Sequence, residues 1–93
     1  MLSQIPIDLK KVKGKDLDKE ILRVGIIAEL DAVSLYEQLA AMTPNRNIKK
    51  ILLDIAKEEK THVGEFQAML LKLDKEQAKE LEKGKKEVEG LTK

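Results

Sequence analysis

"AAMTPNRNIKK", residues 40–50, decides the fold. The chain before it runs from Leu17 to Met42 without a proline, and the chain after it runs from Asn45 to Leu73 without one. Pro44 fixes its own φ and disfavours a helical Thr43. Proline is also favoured at the first position of a helix, which predicts Thr43 as a cap and Pro44 as a helix start. Two long helices joined by so short a connection lie antiparallel.

Working outward from that turn, the first helix is predicted over 16–42, roughly 39 Å long at 1.5 Å per residue. Asp16 serves as its cap, with Asp18 and Glu20 facing the positive end. The second helix is predicted over 44–73. Gly64 inside it costs about 1 kcal/mol of propensity, which points to close packing there. Asp74 then caps a short third helix over 74–90. Its apolar stripe of Ala78, Leu81, Val88 and Leu91 is thin on a charged background. Residues 1–15 contain Pro6 and Gly14, show no helical period and are read as an extended arm. The expectation is one all-α half-domain over 1–93.

Composition narrows the function. A chain of 93 residues is marginal as a lone domain and needs a disulfide, a metal or a second subunit. There is no cysteine, which removes disulfides, zinc fingers and rubredoxin-like iron centres within these residues. A net charge of +1 and only one Tyr and one Phe argue against nucleic-acid binding. Apolar runs of about five residues are too short to span a membrane. The N-terminal "MLSQIPIDLKK" lacks the pattern of a secretory signal, so a cytoplasmic setting is expected.

The first helix is apolar over much of its circumference. Leu22, Ile26, Val33, Tyr36 and Ala40 form one stripe, and Val24, Ile27, Ala28, Leu35 and Leu39 form another. One partner helix cannot cover both. A homodimer, in which two hairpins build one four-helix bundle, is the economical solution.

Acidic residues interrupt these stripes. On the second helix the seam reads Leu52, Ile55, Ala56, Glu59, His62, Val63, Phe66, Met69. Glu-x-x-His alone is a weak motif in so glutamate-rich a chain. Glu29 strengthens it, because its helical neighbours are Leu22, Gly25, Ile26, Ala32, Val33 and Tyr36, with no Lys or Arg among them. A carboxylate there costs several kcal/mol unless it is paired or holds a metal. Counted from the turn, Glu29, Glu59 and His62 stand at heights of ~24, ~21 and ~26 Å. A twofold axis at that level gathers four glutamates and two histidines, the ligand set of di-metal carboxylate bundles. Such ligands suit Fe or Mn. Glu58 and Glu65 lie off the seam and read as solvated or ion-paired. Tyr36 is read as core or redox-active. Asp31 is read as a cation collector or an inter-subunit contact.

"IIAELDAVSLYEQLA" and "ILLDIAKEEKTHVGEF" resemble the encapsulated ferritins, half-length members of the ferritin-like superfamily. They also resemble the ferritin-like segment of some archaeal encapsulin shell proteins. The resemblance covers roughly residues 17–75. It implies a ferroxidase that oxidises Fe(II) at a di-iron site between two protomers, two Fe per dimer, with Mn or another divalent metal as a substitute. It implies a decameric ring held inside an encapsulin nanocompartment, and thus an encapsulin shell protein as partner. Carried over by position, the ligands fall on Glu29, Glu59 and His62, and the entry acids on Ala28 and Asp31. Ala28 departs from that pattern. No shell-docking peptide is evident after Leu91, so either the chain is the front of a shell fusion or loading uses another route. The rival readings are a rubrerythrin-like peroxide reductase and a non-catalytic helical oligomerisation or cargo module.

Overall fold

The computed structural model describes residues 14–93. The expected arm over 1–15 lies almost wholly outside them. The described residues form three helices and no strand: α1 (Lys15–Met42), α2 (Arg46–Leu73) and α3 (Lys75–Leu91). α1 and α2 form the antiparallel hairpin, and α3 leaves its open end. Among the described residues, no helix is long and apolar enough to cross a membrane.

Both caps of the hairpin helices differ from expectation. α1 begins one residue early, behind Gly14 rather than Asp16. Gly14 has φ 63°, a conformation that a residue with a Cβ rarely adopts, and this turns the chain into the helix. Asp16 and Asp18 instead occupy the first turn, where they face the free N–H groups. α2 begins at Arg46, with Asn45 as its cap instead of Thr43. The Asn45 side chain accepts hydrogen bonds from the N–H groups of Asn47 and Ile48, both at 3.0 Å. Thr43 keeps the extended backbone that a following proline favours, and its hydroxyl accepts from the Asn45 N–H at 3.2 Å. Asn45→Ala is expected to cost about 1 kcal/mol. That should lower the melting temperature by roughly 4–8 °C in thermal circular dichroism.

The core is thin. Val33 and Ala40 on α1 and Ala56 and Leu70 on α2 are buried. The small alanines let the two helices approach. At Gly25 an added Cβ would lie 3.2 Å from three atoms of the Phe66 ring, so the ring lies flat against the glycine. At Gly64 an added Cβ would have nothing among the described residues within 4 Å. Gly25, not Gly64, is the close-packing glycine of the hairpin. Of the two stripes on α1, the one with Val33 and Ala40 faces α2. Ile27 and Leu39 of the other remain exposed, as do Leu30, Ile51, Leu53 and Met69.

One residue joins all three helices. The N–H of Asp74 donates to the Leu70 carbonyl and closes α2 (2.8 Å), and its Oδ1 accepts from the Gln77 N–H and opens α3 (3.0 Å). Its Oδ2 accepts from Arg23 on α1 (2.9 Å), and Arg23 also bonds Glu20 (2.7 Å). Asp74 thus caps α3 as expected. The hydrogen bond from Gln77, aided by the charges of Lys19 and Arg23, holds the Asp74 carboxyl below its usual range against the opposing effect of burial. A depressed carboxyl stabilises the fold above its unfolded value and loses that contribution as pH falls through the folded one. The α3 junction is therefore expected to loosen as pH drops below about 4. Amide exchange at Gln77 and Ala78 followed against pH should show this. Asp74→Asn, which still caps but carries no charge, should flatten the dependence.

Candidate metal centre

Glu29 stands near the middle of α1, and Glu59 and His62 stand one turn apart near the middle of α2. The antiparallel packing brings the three together. Each offers one ligand atom, and these atoms all lie within 4.8 Å of one another. His62 Nδ1 is 3.5 Å from Glu29 Oε2 and 3.5 Å from Glu59 Oε2. Among the described residues this is the one group of three or more such side chains arranged to hold a metal.

The three side chains differ in their access to solvent. The Glu29 and Glu59 side chains are only 20% and 19% exposed, whereas His62 is 44% exposed and opens the group to the surface. Glu29 Oε2 is closed off from solvent and has no hydrogen-bond partner among the described residues. A contact of 3.5 Å to an imidazole nitrogen is too long to satisfy it. Lys60, two residues before His62, pairs instead with Glu37 at 3.3 Å on the exposed side of the hairpin. A buried carboxylate oxygen without a donor costs free energy, and a cation held between the three side chains removes that cost. Two carboxylate oxygens and one imidazole nitrogen are a donor set for Fe or Mn, so the residues present fit such an ion.

Glu58 is exposed, as expected for a residue off the seam. Asp31 and Tyr36 are half-buried on α1 and stand outside the three-residue group. Glu65 is the residue that the seam pattern passed over. With Leu22, Glu29, His62, Phe66 and Met69 it lines an open pocket of about 460 Å³ that leads to the site. The signal for it was its position three residues after His62, one turn along the same helix.

The fold agrees with what known proteins show. The family model described as Rubrerythrin matches residues 20–93. A ferritin-like-encapsulin shell fusion protein of Pyrococcus furiosus is 55% identical over 94 residues, covering 99% of this chain and 27% of that protein. The encapsulin nanocompartment cargo protein EncC of Myxococcus xanthus is 38% identical over 69 residues, covering 74% of this chain and 52% of that protein. The crystal structure of the encapsulated ferritin domain from Pyrococcus furiosus superimposes with a TM-score of 0.85 at 54% identity, covering 99% of this chain and 96% of that one. The chain belongs to the rubrerythrin family and, within it, to the encapsulated ferritins. It spans about a quarter of the Pyrococcus fusion protein and about half of the Myxococcus one.

Proposed function

We propose that this chain is an encapsulin-associated ferroxidase, which oxidises Fe(II) to Fe(III) at a di-iron site completed between two protomers. The observation that carries the reading is the unsatisfied Glu29 Oε2, set with Glu59 and His62 inside one 4.8 Å group. One protomer supplies three ligand atoms, too few for two ions. Two metals about 3.5–4 Å apart need bridging carboxylates. A second hairpin related by a twofold axis brings the total to four glutamates and two histidines. The exposed Ile27 and Leu39 of the second apolar stripe on α1 support association with another copy. Further assembly into a ring, a decamer as the resemblance to the encapsulated ferritins implies, belongs to the same proposal.

Fe(II) is the substrate here. Two ions each lose one electron, and dioxygen takes both electrons and two protons to become hydrogen peroxide. Glu29 and Glu59 hold the positive charge, and as hard oxygen ligands they favour the Fe(III) product. His62 presents its ring nitrogen from the exposed side and binds only when that nitrogen is unprotonated. The relatives named for encapsulin support a setting inside an encapsulin shell in the cytoplasm; storage of the Fe(III) product there belongs to the same proposal. A peroxide-reductase role of the rubrerythrin kind needs an electron donor, and with no cysteine these 93 residues hold no rubredoxin-like centre.

Native mass spectrometry with anaerobic Fe(II) tests the reading. The expected result is uptake of two Fe per dimer. Identical assembly with and without Fe(II), and no stoichiometric uptake, would instead identify a purely structural helical module.

A further inference from the structure

Two packed levels of the hairpin bracket the three-residue group. Counted from the turn at 1.5 Å per residue, the buried Val33 and Ala56 stand at ~18 and ~17 Å, and Gly25 and Phe66 stand at ~30 and ~32 Å. Glu29, Glu59 and His62 lie between these levels, at ~21–26 Å. The two levels differ in kind. At the first, two aliphatic side chains are buried. At the second, the ring of Phe66 lies against bare backbone, and a Cβ added to Gly25 would come within 3.2 Å of three ring atoms. Apolar carbon atoms rest at about 3.5–4.0 Å from one another, so this place holds the ring and nothing more. Gly25 is one helical turn from Glu29, and Phe66 is one turn from His62. The contact is made within one protomer, so it does not depend on what covers the outside of the hairpin.

We propose that Phe66, seated on Gly25, is a positioning residue of this centre: its ring sets the distance between α1 and α2 at the ligands, and thereby which divalent ion Glu29, Glu59 and His62 prefer. The inference rests on the metal-centre reading above and adds the origin of its selectivity. Neither residue offers the ion a ligand atom. Glu29 comes from α1, whereas Glu59 and His62 come from α2, so the span between the two sets of ligand atoms follows the separation of the helices. Sites for divalent ions discriminate by cavity size, ligand number and rigidity more than by raw affinity. A span fixed on both sides of the ligands favours the ions that match it. A methyl group on Gly25 has to move the ring or the helix by a few tenths of an ångström. That exceeds the difference in radius between Mn(II), the larger ion, and Co(II), the smaller.

The test is competition of Co(II) with Mn(II) for the full chain in its assembled state, with the visible bands of bound Co(II) reporting its ligand geometry. Gly25→Ala should widen the span and shift those bands. It should lower the preference for Co(II) over Mn(II) about tenfold, the lower end of what a ligand-supporting residue contributes. Phe66→Leu thins the spacer and leaves Gly25 in place, so it reports even where Gly25→Ala fails to assemble. It should move the preference in the opposite sense. The double variant makes room for the methyl group and should recover most of the original preference and spectrum. Gly84→Ala, on α3, adds a Cβ with nothing among the described residues within 4 Å. It gives a helix the same gain in propensity and should leave preference and spectrum unchanged. An unchanged preference in both Gly25→Ala and Phe66→Leu would overturn the inference. Equal weakening for the two ions with unshifted bands would overturn it as well, because the contact would then only support the fold. If the unmodified chain binds neither ion, the metal-centre reading fails first, and the inference with it.

Discussion

Glu59→Ala and His62→Ala should each lower the rate of Fe(II) oxidation by at least about 100-fold. Loss of a residue that merely supports a ligand costs 10–100-fold in metal affinity or activity, and these two residues are proposed to be ligands themselves. Each substitution removes one of three ligand atoms from a protomer and therefore two of six from the dimer. Both side chains sit on the face of α2 beside Glu29, and neither contributes a hydrogen bond that holds the helix. Helical content by far-ultraviolet circular dichroism should be unchanged. Fe(III) formation followed by absorbance in air is the measurement. Oxidation at the unmodified rate in both variants would remove the ferroxidase assignment, whatever their stability.

The second large effect concerns stability. One Glu29 oxygen is closed off from solvent with no hydrogen-bond partner among the described residues. A ligand that binds only the folded state at a hundred times its dissociation constant stabilises that state by about 2.7 kcal/mol. For a domain of this size, the melting temperature should rise by roughly 10–20 °C when metal is added, and chelation should reverse the change. Glu29→Gln is expected to do two things together. It should raise the melting temperature of the metal-free protein, because a buried charge is removed, and it should abolish the rise on adding metal. A variant that still gains the full rise would show that Glu29 is not at the site.

Several parts of the structure were legible in the sequence because they depend on local rules. Pro44 and the two proline-free stretches around it mark the hairpin, and Asp74 marks the start of α3. The meeting of Glu29 with Glu59 and His62 could be counted along two helices from one turn. Counting works because each residue advances a helix by a fixed rise. Other parts depend on choices made in three dimensions. Thr43 and Asn45 are both good caps, and the choice fell to the one whose side chain reaches two free N–H groups at once. Gly25 and Gly64 look alike in sequence. Which of them packs closely depends on how each helix is rotated about its own axis, and a glycine has no side chain to record that. The bond from Arg23 to Asp74 joins residues 51 apart in sequence, and Glu65 lines the pocket through its place on the rim of the helix pair. No apolar pattern announces either.

Gly25 lies four residues before Glu29, and Phe66 lies four after His62. The flat contact between them is thus one helical turn from the ligands on both helices. There the helices are held apart by the thickness of one aromatic ring set against a bare α-carbon. The width of the gap into which a metal ion must fit is thereby gauged by an atom the sequence leaves out. A single methyl group at position 25 would act as a shim, felt at the ligands without touching any of them.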